Sequence, residues 1–390
     1  MWGSFDMLKD FIQNIVWENY YINQFFYKFA PLGERRKQAT YISEMCDWDT
    51  IDDITALKEY RDSVEKGREF RSPSPIWGNT HIYGIWYSLF YNIVRDHIQY
   101  SPAIEHGLIF YNQIFMDLLS SSRSTYATFS PFRKDIIHNY RKEPVFCVGP
   151  YIHYADPFYD NVKFQKMKEK LGRVLLVFPI HSTDQSEANY EEEDFIRQIK
   201  KIEKKYDTVL VNAFWWNVND RIINRLAAEG YHISSAGFRD DIMFLSRLKT
   251  IIRLSDYAVG NSIGTHVGYC LHENVPFMLL KTEAPKEVML DKKENKLTNT
   301  RITHMNKLKQ AFSKETPFIT EEQRTLVNYY WGNDCIRTPN ELKQMCRITR
   351  DLHNMTRGNT FLNSIFIKKI MREYQSEDEK LYAMLVHALT

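Results

Sequence analysis

The pattern of hydrophobic and polar positions predicts that strands and helices alternate along the middle of the chain. Continuous apolar runs, RVLLVF at 173–178 and TVLV at 208–211, predict strands that are buried on both faces. The charged segments between such runs repeat apolar residues every three or four positions, and this spacing predicts amphipathic helices. Gly172 and Gly230 follow two of these helices where a C-cap is expected. The alternation favours an α/β fold with a doubly wound parallel sheet.

A shorter alternation of strand-like and helix-like segments precedes this region, and helix-like segments flank both. Residues 1 to about 70 combine helical spacing with many aromatic side chains, which predicts packed helix. A helix on a membrane surface is the alternative, although its polar face is poor in Lys and Arg. We therefore predict an N-terminal lobe at 1–160, a C-terminal lobe at 161–345, and C-terminal helices at 346–390 that pack back on the first lobe.

Composition narrows the class of protein. The length of 390 residues suggests two domains, and the net charge of +2 with interspersed signs indicates neither a nucleic-acid binder nor an acidic tail. The five cysteines are scattered without CxxC spacing, which predicts reduced thiols rather than a disulfide framework or a zinc site. There is no signal-peptide pattern at the start and no apolar run of about 18 residues, so we expect a cytoplasmic protein.

The strongest candidate for chemistry is the segment DYAVGNSIGTHVGY. A strand ends at Gly260 and Asn261, a turn of small residues follows, and a helix begins near Thr265. Free N–H groups and the positive dipole end make such a helix start an anion site. Gly260 and Gly264 are expected to let a phosphate approach the backbone, with Ser262 and Thr265 adding hydroxyl donors. The alternative is an ordinary turn in which Ser or Thr caps the helix.

Further candidates follow neighbouring strands of the same predicted sheet. His181 and Ser182 come directly after a buried strand, where the imidazole can bind a phosphate, unless it only caps a loop. Trp215 follows another strand, and its ring is a candidate for stacking on a base or sugar, with core packing as the alternative. Arg239 is a candidate phosphate ligand. Its neighbour Asp240 is expected to cap the next helix.

A turn in the N-terminal half offers a general base. Glu105 and His106 follow a predicted strand, and either side chain suits removal of a proton from an acceptor hydroxyl; a hydrogen-bonded turn histidine is the alternative. The chain has no P-loop, no GxGxxG after its first strand, no HExxH and no GxSxG. Asp47-Trp48-Asp49 matches the DxD of metal-dependent glycosyltransferases by letters, but its polar helical setting predicts a solvated acidic face.

The segment SAGFRDDIMFLSRLKTIIRLSDYAVGNSIGTHVGYCLHENVPF resembles the C-terminal lobe of GT-B-type glycosyltransferases of bacterial capsule and O-antigen biosynthesis, and YYWGNDCIRTPNELK resembles a tail segment of proteins from such clusters. The His-Ser turn ahead of a hydroxyl-bearing turn is also similar to transferases that use CMP-activated sugars and to glycerophosphate-type polymer transferases. The resemblance is best from Pro144 to Lys343. The chain departs from CMP-sialic acid enzymes at Ser182, where they have proline, and in lacking their Ser-Ser pair.

The resemblance implies two Rossmann-like lobes that face each other across an active site. The C-terminal lobe would bind a nucleotide-sugar donor, and His106 or Glu105 of the first lobe would face a glycan or lipid-linked glycan acceptor. Transfer would need neither metal nor cofactor, and the enzyme would be cytoplasmic, with peripheral contact to the inner face of the membrane as an option. The donor-binding residues would be His181, Ser182, Asn261, Ser262, Gly264, Thr265, Arg239 and Trp215.

Two other functions stay open at this point. A nucleotide-sugar 2-epimerase shares the two-lobed fold, would turn over the donor without an acceptor, and would need more acid/base carboxylates in the cleft. A non-catalytic glycan- or nucleotide-binding protein of a polysaccharide assembly complex would bind the donor without hydrolysis or transfer.

Overall fold

The computed structural model describes the following residues: 58–59, 82–95, 97–110, 112–114, 118, 121, 123–181, 186–187, 190–237, 239, 241–281, 288–289, 299–356 and 363–390. Several expectations lie outside these ranges. They are the N-terminal helix apart from Lys58 and Glu59, the acidic stretch at 47–49, and the roles of Ser182 and Asp240.

The first lobe contains a small parallel sheet. Its elements are α1 (Ile85–Val94), β1 (Ala103–Ile104), β2 (Tyr126–Thr128), α2 (Pro131–His138) and β3 (Val145–Cys147). The strands lie in the order β1-β2-β3, and both neighbouring pairs are parallel. Every residue of the three strands is buried, as expected for a parallel sheet covered on both faces.

The second lobe contains a larger sheet with a helix after nearly every strand. Its elements are α3 (Asn161–Leu171), β4 (Val174–Phe178), β5 (Ser186–Glu187), α4 (Glu192–Ile202), β6 (Thr208–Asn212), α5 (Arg221–Ala228), β7 (His232–Ser234), α6 (Phe244–Leu254), β8 (Tyr257–Gly260), α7 (Thr265–His272) and β9 (Phe277–Leu279). Five strands pair in parallel in the order β7-β6-β4-β8-β9. Counted along the chain this is 3-2-1-4-5, the Rossmann order. The α/β fold with parallel sheets is confirmed.

The last third of the described chain is mainly helical. It begins with a short strand, β10 (Val288–Met289), which pairs antiparallel with β5. Five helices follow: α8 (Asn299–Phe312), α9 (Glu321–Trp331), α10 (Pro339–Thr356), α11 (Asn363–Glu377) and α12 (Glu379–Leu389). The β5–β10 pair was not predicted. Thr320 begins α9 with a capping box that includes Gln323. None of the helices in the described ranges is both long and apolar enough to cross a bilayer.

The C-terminal helices contact the first sheet. The hydroxyls of Thr125, just before β2, and Thr349 of α10 lie 2.6 Å apart, and the Lys134 ammonium of α2 donates to the carbonyl of His387 in α12 at 3.1 Å. The lobe boundaries near residues 160 and 345 remain predictions.

Helix α9 fixes the position of α7 through one tryptophan. Trp331 is fully buried, and its indole N–H donates to the carbonyl of Thr265 at 3.0 Å. Its ring lies against Gly268, where a Cβ atom would come within 2.3 Å of the ring. Phe110 of the first lobe packs edge-on against the same indole at 5.7 Å between ring centroids. The lack of a side chain at Gly268 therefore allows α7, α9 and the first lobe to pack together.

Replacing Gly268 with alanine should destabilise the protein. The added methyl group overlaps a buried ring that has no room to move, an overpacking cost of roughly 3 kcal/mol. Urea unfolding of Gly268→Ala measures the loss. Gly107→Ala is the matched control, because nothing lies within 4 Å of the added Cβ there. Equal midpoints for the two variants would contradict the close contact with Trp331.

Candidate functional site

The carboxyl ends of the two sheets meet. The chain leaves β1 at Glu105, and three residues later the Leu108 N–H donates to the Thr265 hydroxyl at 3.2 Å, at the first residue of α7. Nearby, the Tyr83 N–H donates to the carbonyl of Arg239 at 2.5 Å, in the loop after β7. Loops of the first lobe thus contact the edge of the second sheet where open α/β folds bind ligands. This matches the predicted arrangement of two facing Rossmann-like lobes.

The N-terminus of α7 carries no side-chain cap. Its N-cap is Gly264, with extended backbone, and no side chain accepts a hydrogen bond from the first turn. The alternative interpretation, in which Ser or Thr caps this helix, is therefore wrong. Within this turn the Val267 N–H donates to the Gly264 carbonyl at 3.1 Å, so the amides of Thr265 and His266 and the positive dipole end are the groups suited to an anion.

Gly260 does not have the predicted role of admitting a phosphate. A Cβ atom at this position would lie 2.9 Å from the carbonyl oxygen of Phe178 and 3.3 Å from the ring of Phe277. The glycine therefore allows β8 to lie close to β4 and β9. At Gly264 a Cβ would meet only the ring of His266, at 3.2 Å.

Asn261 connects two turns of this edge. The side chain is 4% exposed, and its Oδ1 accepts from the Ile180 N–H at 2.6 Å, which joins the turn after β8 to the turn after β4. The Tyr190 side chain interacts with Asn261 from the other side, and burial raises the pKa of this tyrosine above its ordinary value. Asn261 thus positions the backbone of both turns, in addition to any contact with a ligand.

Two histidines lie close together at the same edge. His181 is exposed, and its ring stacks on Phe214 at 4.1 Å. His266, the second residue of α7, stacks on Phe178 at 4.7 Å. Burial, and secondarily the charge of a protonated His181, lower the pKa of His266 to about 3. His266 was not among the residues predicted from the sequence, although its place two residues after a glycine N-cap is a usable signal.

Several buried polar atoms at this edge of the sheet have no hydrogen-bond partner among the described residues. They include Nε2 of His266, Oδ1 of Asn212 at the end of β6, and Oδ1 of Asn217 in the turn that follows. Each such atom costs about 1–3 kcal/mol when it stays unpaired, and native proteins leave few of them. The carboxyl edge thus presents hydrogen-bonding capacity that a polar ligand can use. Ser262 and Gly264, both partly exposed, border this region.

Trp215 differs from its predicted role, whereas the predicted role of Arg239 as a phosphate ligand stays a prediction. Trp215 is 4% exposed, with the guanidinium of Arg239 5.8 Å above its ring and Trp216 edge-on at 5.2 Å. The stacking surface predicted at Trp215 is therefore covered by the protein, and the core-packing alternative applies. Arg239 is partly exposed at the lobe junction. Asp241 lies before α6, and its Oδ1 accepts from the Met243 N–H at 2.8 Å, while Met243 itself, the N-cap, makes no side-chain cap.

The two base candidates have different surroundings. Glu105 is buried, and its carboxylate binds Arg133 at 2.5 Å and the Thr128 hydroxyl at 2.7 Å. A carboxylate enclosed in this way has no open side for an acceptor, which corrects its candidacy as the base. His106 is partly exposed, and its ring centroid is 6.4 Å from that of Tyr83 at the junction. Within the described ranges, no three His, Cys, Asp or Glu side chains form a metal-binding group.

No protein-family model and no curated protein matches the chain. Solved structures with some similarity include a putative UDP-N-acetylglucosamine 2-epimerase from Listeria monocytogenes, at 13% identity and a TM-score of 0.33 over 67% of this chain and 63% of that one. Arabidopsis thaliana UGT89C1 aligns at 10% identity and a TM-score of 0.28, over 70% and 60%. Medicago truncatula UGT71G1 complexed with UDP-glucose aligns at 10% and 0.26, over 65% and 55%. The chain thus spans less than two thirds of each, and similarity at this level assigns no function.

We expect His266 to make the protein less stable in acid. Its pKa is lower in the folded than in the unfolded state, so the unfolded state binds more protons between about pH 6.5 and 3. Stability from this residue is therefore complete above about pH 6.5 and declines as the pH falls. His266→Asn should flatten the pH dependence of the melting temperature in that interval and leave it unchanged at higher pH. An unchanged acid slope would contradict a buried, neutral imidazole.

Proposed function

We propose that the chain is a glycosyltransferase that moves a sugar from a nucleotide-activated donor to a glycan or lipid-linked glycan acceptor. The observation that carries the proposal is the uncapped N-terminus of α7, which lies at the carboxyl edge of a Rossmann-order sheet and is contacted by the first lobe at Thr265. The resemblance of residues 235–277 to transferases of bacterial surface polysaccharide synthesis adds the substrate class and the pathway to the proposal.

On the donor side, the proposed leaving group is the nucleotide phosphate. The amides that follow Gly264 and the hydroxyl of Ser262 would stabilise its charge, together with the exposed imidazole of His181. His266 would act differently. Its ring donates to the Ser262 carbonyl, so in the neutral ring the unpaired Nε2 is an acceptor, suited to a ribose or sugar hydroxyl. Ser182 stays a proposed phosphate ligand.

On the acceptor side, we assign the general base to His106. It lies two residues before Leu108, whose amide donates to the Thr265 hydroxyl, and this residue is therefore close in the chain to the contact with the start of α7. It would take the proton from the acceptor hydroxyl while the donor bond breaks. The charge on the leaving group is met by dipoles and imidazoles in this proposal, so no metal or cofactor is invoked.

Buried ion pairs disfavour the epimerase alternative. Two carboxylates of the described residues lie near the junction, and each is neutralised by a buried arginine: Glu105 by Arg133, and Asp241 by Arg247 at 2.7 Å. All four side chains are fully buried, so neither carboxylate is free for proton transfer to a sugar. Donor turnover without an acceptor would support the epimerase, and binding without turnover would support the non-catalytic protein.

Binding of the donor should depend on His181. A thermal-shift panel of UDP-, GDP-, CMP- and dTDP-sugars identifies the nucleotide. His181→Ala should then lower the affinity for that donor by about tenfold or more, because a charge-assisted contact of about 1.5–3 kcal/mol is lost. His232→Ala is the matched control, since His232 begins β7 at the opposite edge of the sheet. A lack of response to every donor, or equal effects of the two variants, would rule out the assignment.

Replacement of His106 should slow sugar transfer without weakening the binding of the donor. Loss of a general base costs roughly 10²–10⁴ in rate. For His106→Ala we therefore expect kcat to fall by this amount while the donor Kd changes little. His97→Ala, an exposed histidine of the same lobe, serves as the control and should transfer at the wild-type rate. Wild-type kcat in His106→Ala would remove His106 from the mechanism.

A further inference from the structure

Two cysteines from distant parts of the chain lie on neighbouring segments. Cys147 is the last residue of β3, Cys335 ends the single-turn helix Asn333–Cys335 after α9, and each thiol influences the pKa of the other. Two contacts join these segments: the Arg337 side chain donates to the Cys147 carbonyl at 2.9 Å, and a Cβ on Gly149 would lie 2.8 Å from a carbonyl oxygen at position 332. The packing of the two segments thus brings the two thiols together.

The two thiols have unequal environments. Cys147 is 1% exposed, whereas Cys335 is partly exposed. The hydrogen bond from Cys147 lowers the pKa of Cys335, with help from Arg337 and against burial and Asp334. The same contact raises the pKa of Cys147. Cys335 is therefore the accessible sulfur with the lowered pKa, and Cys147 is the shielded sulfur with the raised pKa.

We propose that Cys335 and Cys147 form a modification site that small-molecule disulfides oxidise to an intramolecular disulfide. The Cys335 thiolate attacks one sulfur of the oxidant, which forms a mixed disulfide and releases one small thiol. Cys147 then loses its proton to solvent, attacks the Cys335 sulfur and expels the second small thiol. The two protein thiols lose two electrons, and the oxidant gains them.

The second step is aided by the first. The hydrogen bond and the charge of Cys335 both raise the pKa of Cys147 in the reduced protein. Both effects end once Cys335 carries the mixed disulfide, while Lys134 and Arg337 remain to stabilise a Cys147 thiolate. The pKa of Cys147 therefore falls when its partner becomes open to attack, while burial continues to raise it.

The bond would link the first sheet to the segment after α9. That helix ends at Trp331, which holds α7, so oxidation would reinforce the packing at the proposed donor site without contacting it. Because the bridge closes a very long loop, we expect the oxidised protein to melt roughly 5 °C higher than the reduced one.

The test exposes the full chain to oxidised glutathione, blocks remaining thiols with maleimide, and maps disulfides by mass spectrometry. The expected product is a cross-link between the peptides of Cys147 and Cys335, reversed by dithiothreitol and accompanied by the higher melting temperature. Cys270→Ser/Cys346→Ser is the matched control, since both residues are buried free thiols, and it should oxidise as wild type does. In Cys147→Ser a glutathione adduct should persist on Cys335.

Labelling of the reduced wild-type protein gives a measurement that needs no variant. Maleimide should modify Cys335 before Cys147, Cys270 and Cys346. If Cys335 can still be alkylated after oxidation, if its disulfide partner is Cys46 or a second copy of the chain, or if Cys335 is not labelled first among these four, the proposal is overturned. No nucleotide sugar enters these assays, so the proposed transferase function can fail without affecting them.

Discussion

The position of α7 depends on contacts from three directions. Trp331 binds the carbonyl of Thr265 and covers Gly268, Leu108 binds the hydroxyl of Thr265, and the sheet holds the preceding turn through Asn261. A helix of eight residues is too short to be stable by itself. Its direction, and therefore the direction of its dipole, comes from these neighbours. The proposed donor site exists because the packing of both lobes and of α9 converges on one short helix.

The order of the elements was accessible from the sequence, because buried parallel strands and amphipathic helices leave strong local patterns. Gly172 ends a helix as predicted, since caps depend on neighbours in the chain. The β5–β10 pair lacked a comparable signal. The pairing of two-residue strands is decided by distant partners, which a local pattern does not encode.

In the candidate site too, the positions of residues along the strands were predictable from the sequence, whereas their contacts with distant residues were not. Strand ends can be located from the sequence, so His181, Ser262 and Thr265 were placed at the correct edge. What each side chain contacts depends on residues far along the chain. Arg133 neutralises Glu105, and Arg239 covers the ring of Trp215. Burial of an acid beside an arginine, or of an indole beneath a guanidinium, leaves no periodic trace, and these two assignments therefore needed coordinates.

The 3-2-1-4-5 strand order has a consequence for how this surface can diversify. From β4 the chain continues to β6 on one side, whereas β8 lies on the other side of β4. At such a reversal of strand order a crevice forms between the turns after the two strands, here β4 and β8, whatever residues those turns contain. Shape is supplied by topology and recognition by a few turn side chains. Substitutions in the turns can change which ligand such a crevice binds, while the strands beneath keep their packing and the fold retains its stability.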